Sequence, residues 1–314
     1  MPHRYTDPVP PASRPLPAAA LRRVLRVGYG RADFRADLLA GLVVGVVALP
    51  LSMALAIAAG VAPQHGLYTA IVAGAVIALL GGSRVQVSGP TAAFVVVLSP
   101  IAARHGLAGL LIASFLAGII LVLMGVAGLG KLIEFIPNPV TTGFTAGIAV
   151  VIGTLQIKDF LGLTVEHMPE HFLPRVGALF QALPGARWQD GAIGILTLVI
   201  LILWPKVTRK IPSPLVALAA GALAAALAAR IWPGFDVATI GSRFSYVLDG
   251  AIYAGIPRRI PIPAWPWSLS GPEGAPLGLS FGLIHDLLGP AFAIAMLGAI
   301  ESLLHPGARR SSPR

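Results

Sequence analysis

The sequence predicts an all-α polytopic membrane protein with about eight transmembrane segments, and three observations support this fold class. The 314 residues are 56% hydrophobic and only 11% charged. The mean hydropathy is +0.81. Long apolar runs recur along most of the chain with short polar stretches between them, which is the pattern of helices that cross a bilayer in succession.

Eight apolar segments approach the length of a membrane crossing, which is roughly 20 residues for a hydrocarbon core about 30 Å thick. The last three are short, so we expect interfacial residues or a thinner bilayer to complete them. The segments form a predicted transmembrane domain over 38–304, between an N-terminal arm (1–37) and a polar, basic tail (305–314). They lie at about 38–59, 66–82, 85–103, 107–129, 133–157, 191–204, 213–229 and 288–304.

The N-terminal arm is rich in Pro, Ala and Arg. It contains no short apolar core followed by a small-residue cleavage site, so the sequence indicates no removable signal peptide. Residues 20–27 alternate in a way that fits a short basic amphipathic helix on the inner leaflet. A disordered arm fits the same composition, and the sequence does not separate the two.

The distribution of basic residues predicts the orientation. With a cytoplasmic N-terminus, 15 of the 23 Lys and Arg residues fall on the cytoplasmic side. The positive-inside rule therefore favours a cytoplasmic N-terminus, and we expect a multi-pass protein of the inner membrane. Two long connections, 158–190 and 230–287, then lie on the outer side.

The third segment contains the stretch VSGPTAA at residues 87–93. A Gly-Pro pair does not fit the interior of one continuous helix. If the chain is extended to Ser88 and a helix starts at Pro90, the positive end of a half-helix lies within the bilayer, where its free N–H groups can bind an anion. Broken helices of this kind mark binding sites in secondary transporters. A kink that only aids packing is the alternative.

Two further groups are candidates for the same site. Glu301 is a carboxylate within the last predicted span, where charge is costly and commonly functional, as a proton relay, cation-coupling group or hydrogen-bond acceptor. The alternative is that Glu301 reaches the inner interface. In the first span, a kink at Pro50 could direct Ser52 and Met53 towards the cavity.

Several classes of function receive no support from the sequence. The chain has no cysteine, which excludes disulfides, thiolate metal sites and a cysteine nucleophile. We find no nucleotide loop, no nucleophile with an adjacent base and no haem or zinc pattern, so an enzyme is not indicated. His167 and His171 are four residues apart but are separated by Pro169, and no metal site is expected. The basic residues lie between apolar segments, so nucleic acid is not an expected partner.

Four ordered motifs resemble the SulP family of anion transporters, the sulfate-permease family of sulfate, bicarbonate and dicarboxylate carriers. Residues 38–68 resemble its first-helix motif and residues 87–93 its third-helix motif. Residues 135–162 resemble the family's signature region, and LGAIESLL at 297–304 resembles its eighth helix.

The resemblance implies a fold of seven plus seven inverted helices, divided into a core domain and a gate domain, with substrate between half-helices three and ten. This chain would contribute the first repeat, helices one to seven, and helix eight. The family's acidic eighth-helix position, used for substrate or for Na⁺ or H⁺ coupling, falls on Glu301. The first-helix lining falls on Pro50, Ser52 and Met53, and the third-helix anion site on Ser88, Gly89, Pro90, Thr91 and Ala92.

The chain also departs from the family pattern. Leu51 and Leu55 stand where many members have Gln and Tyr, which weakens a specific prediction of sulfate. The resemblance stops at Leu304, and neither later helices nor a STAS domain follow, so we expect a truncated chain. The sequence therefore predicts part of a carrier for a small anion, coupled to Na⁺ or H⁺, with a homodimer possible for the full-length form and no other cofactor. An anion channel and a non-transporting fragment or accessory subunit are the alternatives.

Overall fold

A computed structural model describes residues 18–82, 89, 91–129, 138–165, 169, 172–208, 211–248, 251–257, 264–269, 271 and 277–303. Within these ranges the chain is mainly helical, with one short antiparallel hairpin. The helices are α1 (Ala19–Val27), α2 (Arg31–Ala58), α3 (Pro63–Leu80), α4 (Ala92–Val126), α5 (Asn138–Phe160), α6 (Phe172–Ala182), α7 (Trp188–Val207), α8 (Ser213–Ile231), α9 (Ile240–Arg243) and α10 (Phe281–Leu303). The strands are β1 (Ser245–Leu248) and β2 (Ala251–Ala254).

The long helices coincide with the predicted membrane segments. Six described helices are long and apolar enough to cross a membrane: α2, α3, α4, α7, α8 and α10. The fifth predicted segment corresponds to α5. The predicted break between segments three and four is confirmed at Gly106, whose backbone (φ 64°, ψ −164°) interrupts α4 and divides it into two helices. Glycine tolerates this positive φ because it has no Cβ.

The N-terminal arm forms a helix that caps α3. The amide of Ala18 donates to Leu80 O at 2.9 Å, and the amide of Ala20 donates to Gly81 O at 3.4 Å. These bonds satisfy carbonyls at the end of α3 that no intrahelical partner can reach. The predicted amphipathic helix is therefore present as α1.

The first long helix starts at Arg31, seven residues earlier than the apolar run indicated. Its first two turns are polar, and the Gly30 N–H donates to Asp33 Oδ2 at 2.9 Å.

Helices α2 and α3 pack with their backbones in direct contact. A Cβ at Gly66 would overlap the carbonyl oxygen of Ser52 and would lie 2.8 Å from the Cβ of Ala56. Small residues at a crossing allow such an approach, which favours association in a membrane through van der Waals contact. At Gly74, Gly143 and Gly147, by contrast, a Cβ would meet no atom of the described residues within 4 Å.

The best-buried part of the protein lies between the two halves of α4 and α10. Its centre is formed by alanines one turn apart on each helix, all at most 1% exposed. These pairs are Ala113 with Ala117 on α4 and Ala291 with Ala295 on α10. Because lipid is as apolar as these side chains, the contact is held by close packing of small residues rather than by exclusion of water.

The two long connections meet at one end of the helix bundle, opposite α1. Arg243 of α9 pairs with Asp159 at the end of α5 at 2.6 Å, and Arg187 contacts Asp236 at 3.2 Å. The buried carboxylate of Asp190 accepts the amide of Ala238 at 2.8 Å. Ion pairs and backbone hydrogen bonds therefore fasten segments that lie on either side of α7 and α8 in the sequence.

Candidate functional site

The first half of α4 begins at Ala92. Thr91 before it is extended (φ −111°, ψ 136°) and occupies the N-cap position. The sequence analysis expected Pro90 as the first helical residue, but the helix starts two residues later because Thr91, itself a favoured N-cap residue type, is not helical. Ser88 and Pro90 lie outside the described residues, so the predicted extended segment before the helix stays a prediction.

The start of α4 carries backbone donors that have no acceptor in the part of the chain that the structure describes. The Phe94 N–H donates to Thr91 O at 3.2 Å. Among the described residues, no acceptor bonds to the amides of Ala92 and Ala93, and the Thr91 side chain makes no capping hydrogen bond. Gly89 and Thr91 are both exposed. These amides and the positive end of the helix dipole can bind a negative charge.

The position of this helix start along the bundle is given by the length of the helix. From Ala92 to His105, just before the break at Gly106, the helix rises about 20 Å at 1.5 Å per residue. Arg104 is exposed at the same end. If Arg104 and His105 lie at the interface, Ala92 lies well inside a hydrocarbon core about 30 Å thick.

Glu301 lies at a similar level along the bundle to this helix start. A Cβ at Gly298, one turn before Glu301, would lie 3.6 Å from Phe94 Cζ and 3.7 Å from Leu121 Cδ1. Just beyond the break of α4 at Gly106, a Cβ at Gly109 would lie 3.9 Å from Leu277 Cδ2, and Leu277 precedes α10. The first half of α4 and α10 are therefore antiparallel. The step from Gly298 to Glu301 along α10 thus has the same direction as the step from Phe94 back to the start of α4.

The distances along the two helices agree. Glu301 is about 4.5 Å beyond Gly298, and Thr91 is a similar distance before Phe94. The half-buried Glu301 is thus at the level of the Ala92 and Ala93 amides. The packing of Phe94 on Gly298 was not predicted from the sequence, although a glycine one turn before the carboxylate was an available signal.

The three first-helix candidates are placed less clearly. Ser52 is fully buried, and its hydroxyl donates to Ala48 O at 2.7 Å, so it faces the crossing with α3. Pro50 and Met53 are half-buried. Gly60, just beyond the end of α2, approaches α4 at Ala102, about 15 Å along the axis from the helix start. A binding role for these three residues stays a prediction.

No metal centre accompanies the site in the part of the chain that the structure describes, where no group of three or more His, Asp or Glu residues could hold an ion. His167 and His171 lie outside that part. Among the described residues, the candidate site comprises backbone amides, the Thr91 hydroxyl and the carboxylate of Glu301. Such a set can bind an anion and respond to a proton or a metal cation, but it contains no nucleophile with an adjacent base.

Comparisons with known proteins identify the family of the chain. The model of the sulfate permease family matches residues 34–307. YvdB of Bacillus subtilis is 43% identical over 246 residues, which are 78% of this chain and 42% of YvdB. The sodium-independent sulfate anion transporter of Bos taurus is 36% identical over 49% of this chain and 25% of its own length.

A solved structure shows the same fold. The transmembrane domain of the cyanobacterial bicarbonate transporter BicA matches with a TM-score of 0.67 and 26% identity, over 88% of this chain and 65% of that chain. The chain thus spans less than half the length of YvdB and about two thirds of the BicA domain. The matched relatives are transporters rather than enzymes.

Proposed function

The chain belongs to the sulfate permease family, and from this membership we propose that it forms part of a secondary active transporter for a small anion. The expected substrates are sulfate, bicarbonate or a dicarboxylate. The observation that carries the proposal is the start of α4 at Ala92, where two amides have no acceptor among the described residues and lie, with the exposed Thr91, at the level of Glu301.

The helix start is the proposed anion site. An anion within hydrogen-bond distance of the Ala92 and Ala93 amides would replace part of its lost hydration by two charge-assisted bonds. The helix dipole adds a smaller attraction, typically about 0.3–1 kcal/mol and larger in partly buried geometries. Because these groups are backbone amides, they recognise charge and size rather than one particular oxyanion.

Glu301 is the proposed coupling group. An ionised carboxylate about 6 Å from a bound anion would repel it by roughly 3 kcal/mol at an effective dielectric constant of about 20. A proton or Na⁺ on Glu301 removes this repulsion, so the anion binds best when the cation is bound as well. Mutual stabilisation of this kind is the thermodynamic basis of symport, because the coupling between the two sites is reciprocal.

The orientation and assembly belong to the same proposal. The long connections around α6 and α9 lie at the end of the bundle opposite α1, which fits an inner-membrane protein with a cytoplasmic N-terminus and outer loops. In the family's seven-plus-seven fold, a half-helix from the second repeat would face Ala92. We expect the core domain to move against the gate domain, with dimers possible.

Labelled uptake tests the proposal. The 314-residue chain is reconstituted in proteoliposomes and assayed with labelled sulfate, bicarbonate and succinate, with and without an inward Na⁺ or H⁺ gradient. We expect one anion to accumulate above equilibrium only with a gradient, and Glu301→Gln to abolish accumulation while retaining exchange of anion across the membrane. An anion conductance that does not depend on the Na⁺ or the H⁺ gradient would indicate a channel instead. Absence of uptake for all three anions would reject transport by this chain.

A further inference from the structure

Helix α1 is tied at both of its ends to the same end of the helix bundle. At its start, the amides of Ala18 and Ala20 donate to the carbonyls of Leu80 and Gly81, where α3 ends. At its end, only residues 28–30 separate α1 from the start of α2. The helix is about 13 Å long at 1.5 Å per residue, so it bridges the end of one membrane helix and the start of another.

The crossing of α2 and α3 sets the depth of this bridge. The backbone at Gly66 of α3 lies against the backbone at Ser52 of α2. From this contact, Leu80 at the end of α3 is about 21 Å away, and so is Leu38, where the apolar run of α2 begins. The carbonyls that hold the start of α1 are therefore level with the edge of the apolar segments. Arg31 lies about 10 Å further out, so α1 occupies the layer between the hydrocarbon core and water.

The side chains of α1 form an apolar face and a basic face. Leu21 and Leu25, one turn apart, are 37% and 66% exposed, so the bundle does not cover the apolar face. The basic face lies about 130° around the helix and consists of Arg22, Arg23 and Arg26. These are the two faces of a helix that lies in the plane of a membrane interface, with its apolar side towards the acyl chains and its basic side towards the headgroups.

The charge of this part of the chain is complementary to an anionic surface. Residues 18–37 carry five Arg and two Asp. Three stretches outside the described residues adjoin α1, α3 and α4 in the sequence, and they carry four basic and two acidic residues in total: 1–17, 83–88 and 130–137. They therefore do not reverse the sign of the charge. A positive segment close to anionic headgroups is attracted to them, and salt screens this attraction.

Capping of α3 alone does not account for the side chains of α1. The cap uses the backbone amides of Ala18 and Ala20, and it requires neither leucines on an uncovered side nor three arginines. An apolar patch bordered by charged residues marks a surface that a partner covers. At the depth of α1 the abundant partner is lipid, because this layer holds the polar headgroups.

We propose that α1 is a docking surface for anionic phospholipid. Leu21 and Leu25 enter the boundary of the acyl chains, and the three arginines of the basic face bind lipid phosphates. Guanidinium groups suit this role because they bind phosphate oxygens through paired, parallel hydrogen bonds. Each arginine near an anionic surface strengthens the attachment about fivefold. The proposal rests on the chain spanning a membrane and not on anion transport.

Single cysteines report the depth of α1, because the chain has no cysteine of its own. Leu25→Cys and Ala32→Cys are each labelled with a fluorophore, and the full chain is reconstituted at one copy per nanodisc. The lipid is phosphatidylcholine alone or an equal mixture with phosphatidylglycerol, and it includes a phospholipid with a spin label on its acyl chain. In the mixture, quenching at Leu25→Cys should exceed quenching at Ala32→Cys, on the polar first turn of α2, by about twofold or more. In phosphatidylcholine alone the difference should be smaller.

Stepwise removal of the arginines tests the charge in the Leu25→Cys background. Arg22→Gln, followed by the addition of Arg23→Gln and then Arg26→Gln, should weaken docking about fivefold at each step, until quenching falls to its level in phosphatidylcholine. Glutamine has a helix propensity close to that of arginine, so α1 should stay helical. Lys206→Gln removes an exposed cation at the end of α7. It is the matched control for Arg22→Gln and should not change quenching.

Three results would overturn the proposal. Equal quenching at the two cysteines would show that lipid does not cover the apolar face of α1. Equal quenching in the two lipid compositions would show that the arginines do not recognise anionic headgroups. Loss of the lipid effect in sodium phosphate, but not in sodium chloride of equal ionic strength, would assign the arginines to free phosphate. None of these readouts measures uptake, so failure of the transport proposal would leave this docking surface in place, and the reverse also holds.

Discussion

Replacement of Ala92 by proline removes one proposed anion donor while leaving the helix in place. Ala92 is the first helical residue of α4, the position at which proline is favoured because its fixed φ suits the helix and its N–H would have no intrahelical partner. Proline also requires an extended residue before it. Thr91 already has φ −111° and ψ 136°, so the substitution should cost little folding free energy.

The expected loss follows from the bond removed. A hydrogen bond to a charged group contributes about 1.5–3 kcal/mol. At about 1.4 kcal/mol per tenfold change, this is a weakening of roughly 10- to 150-fold in the dissociation constant of the anion. Ala92→Ser is the matched control, because it changes the side chain and keeps the amide.

Equilibrium binding of radiolabelled sulfate to the purified protein measures the effect directly. The melting temperature and the size-exclusion profile of each variant show whether the fold is retained. Ala92→Pro should weaken binding by at least tenfold while Ala92→Ser stays within about twofold of the parent chain. Equal dissociation constants for the two folded variants would refute the assignment of the helix start as the anion site.

Three substitutions test the packing that positions the site, each measured as a change in melting temperature in detergent. Gly66→Ala should destabilise the protein by about 1–3 kcal/mol, since a methyl group would overlap the α2 backbone, whereas Gly74→Ala should have little effect; equal changes would contradict the close crossing. Ala295→Leu should disrupt the contact between α4 and α10, and Ala293→Leu, on the exposed face of the same helix, should not. Gly162→Ala should destabilise the end of α5, because Gly162 has a positive φ and a Cβ there would overlap the Asp190 carboxylate; a parent-like melting temperature would contradict this requirement for glycine.

The helical framework could be predicted from the sequence because the bilayer imposes the length of each apolar run. The ends of helices were less predictable, since they depend on local bonds. Helix α2 begins at Arg31, well before its apolar residues begin. Helix α4 has Thr91 at its N-cap, whereas the Gly-Pro pair had suggested a helix start at Pro90. Polar first turns and competing cap residues are features that hydropathy does not detect.

The residues of the candidate site could be selected from the sequence, but only one by one. The Gly-Pro-Thr stretch and Glu301 were identified individually, because both are unusual within apolar segments. Their common level in the bundle depends on the contact of Phe94 with Gly298, which joins residues about 200 positions apart in the sequence. The ion pair between Asp159 and Arg243 was not predicted, because the two residues meet only through the folding of the two long connections. Local sequence patterns do not indicate contacts of this separation.

The central claim, that the start of α4 binds an anion, is tested most directly by locating a heavy-atom analogue of sulfate. Crystals of the protein grown in selenate, with data collected at the selenium edge, should show an anomalous peak with selenate oxygens about 2.7–3.2 Å from the amide nitrogens of Ala92 and Ala93. A bound selenate at another position, with the helix start empty at a concentration that saturates binding in solution, would contradict the account.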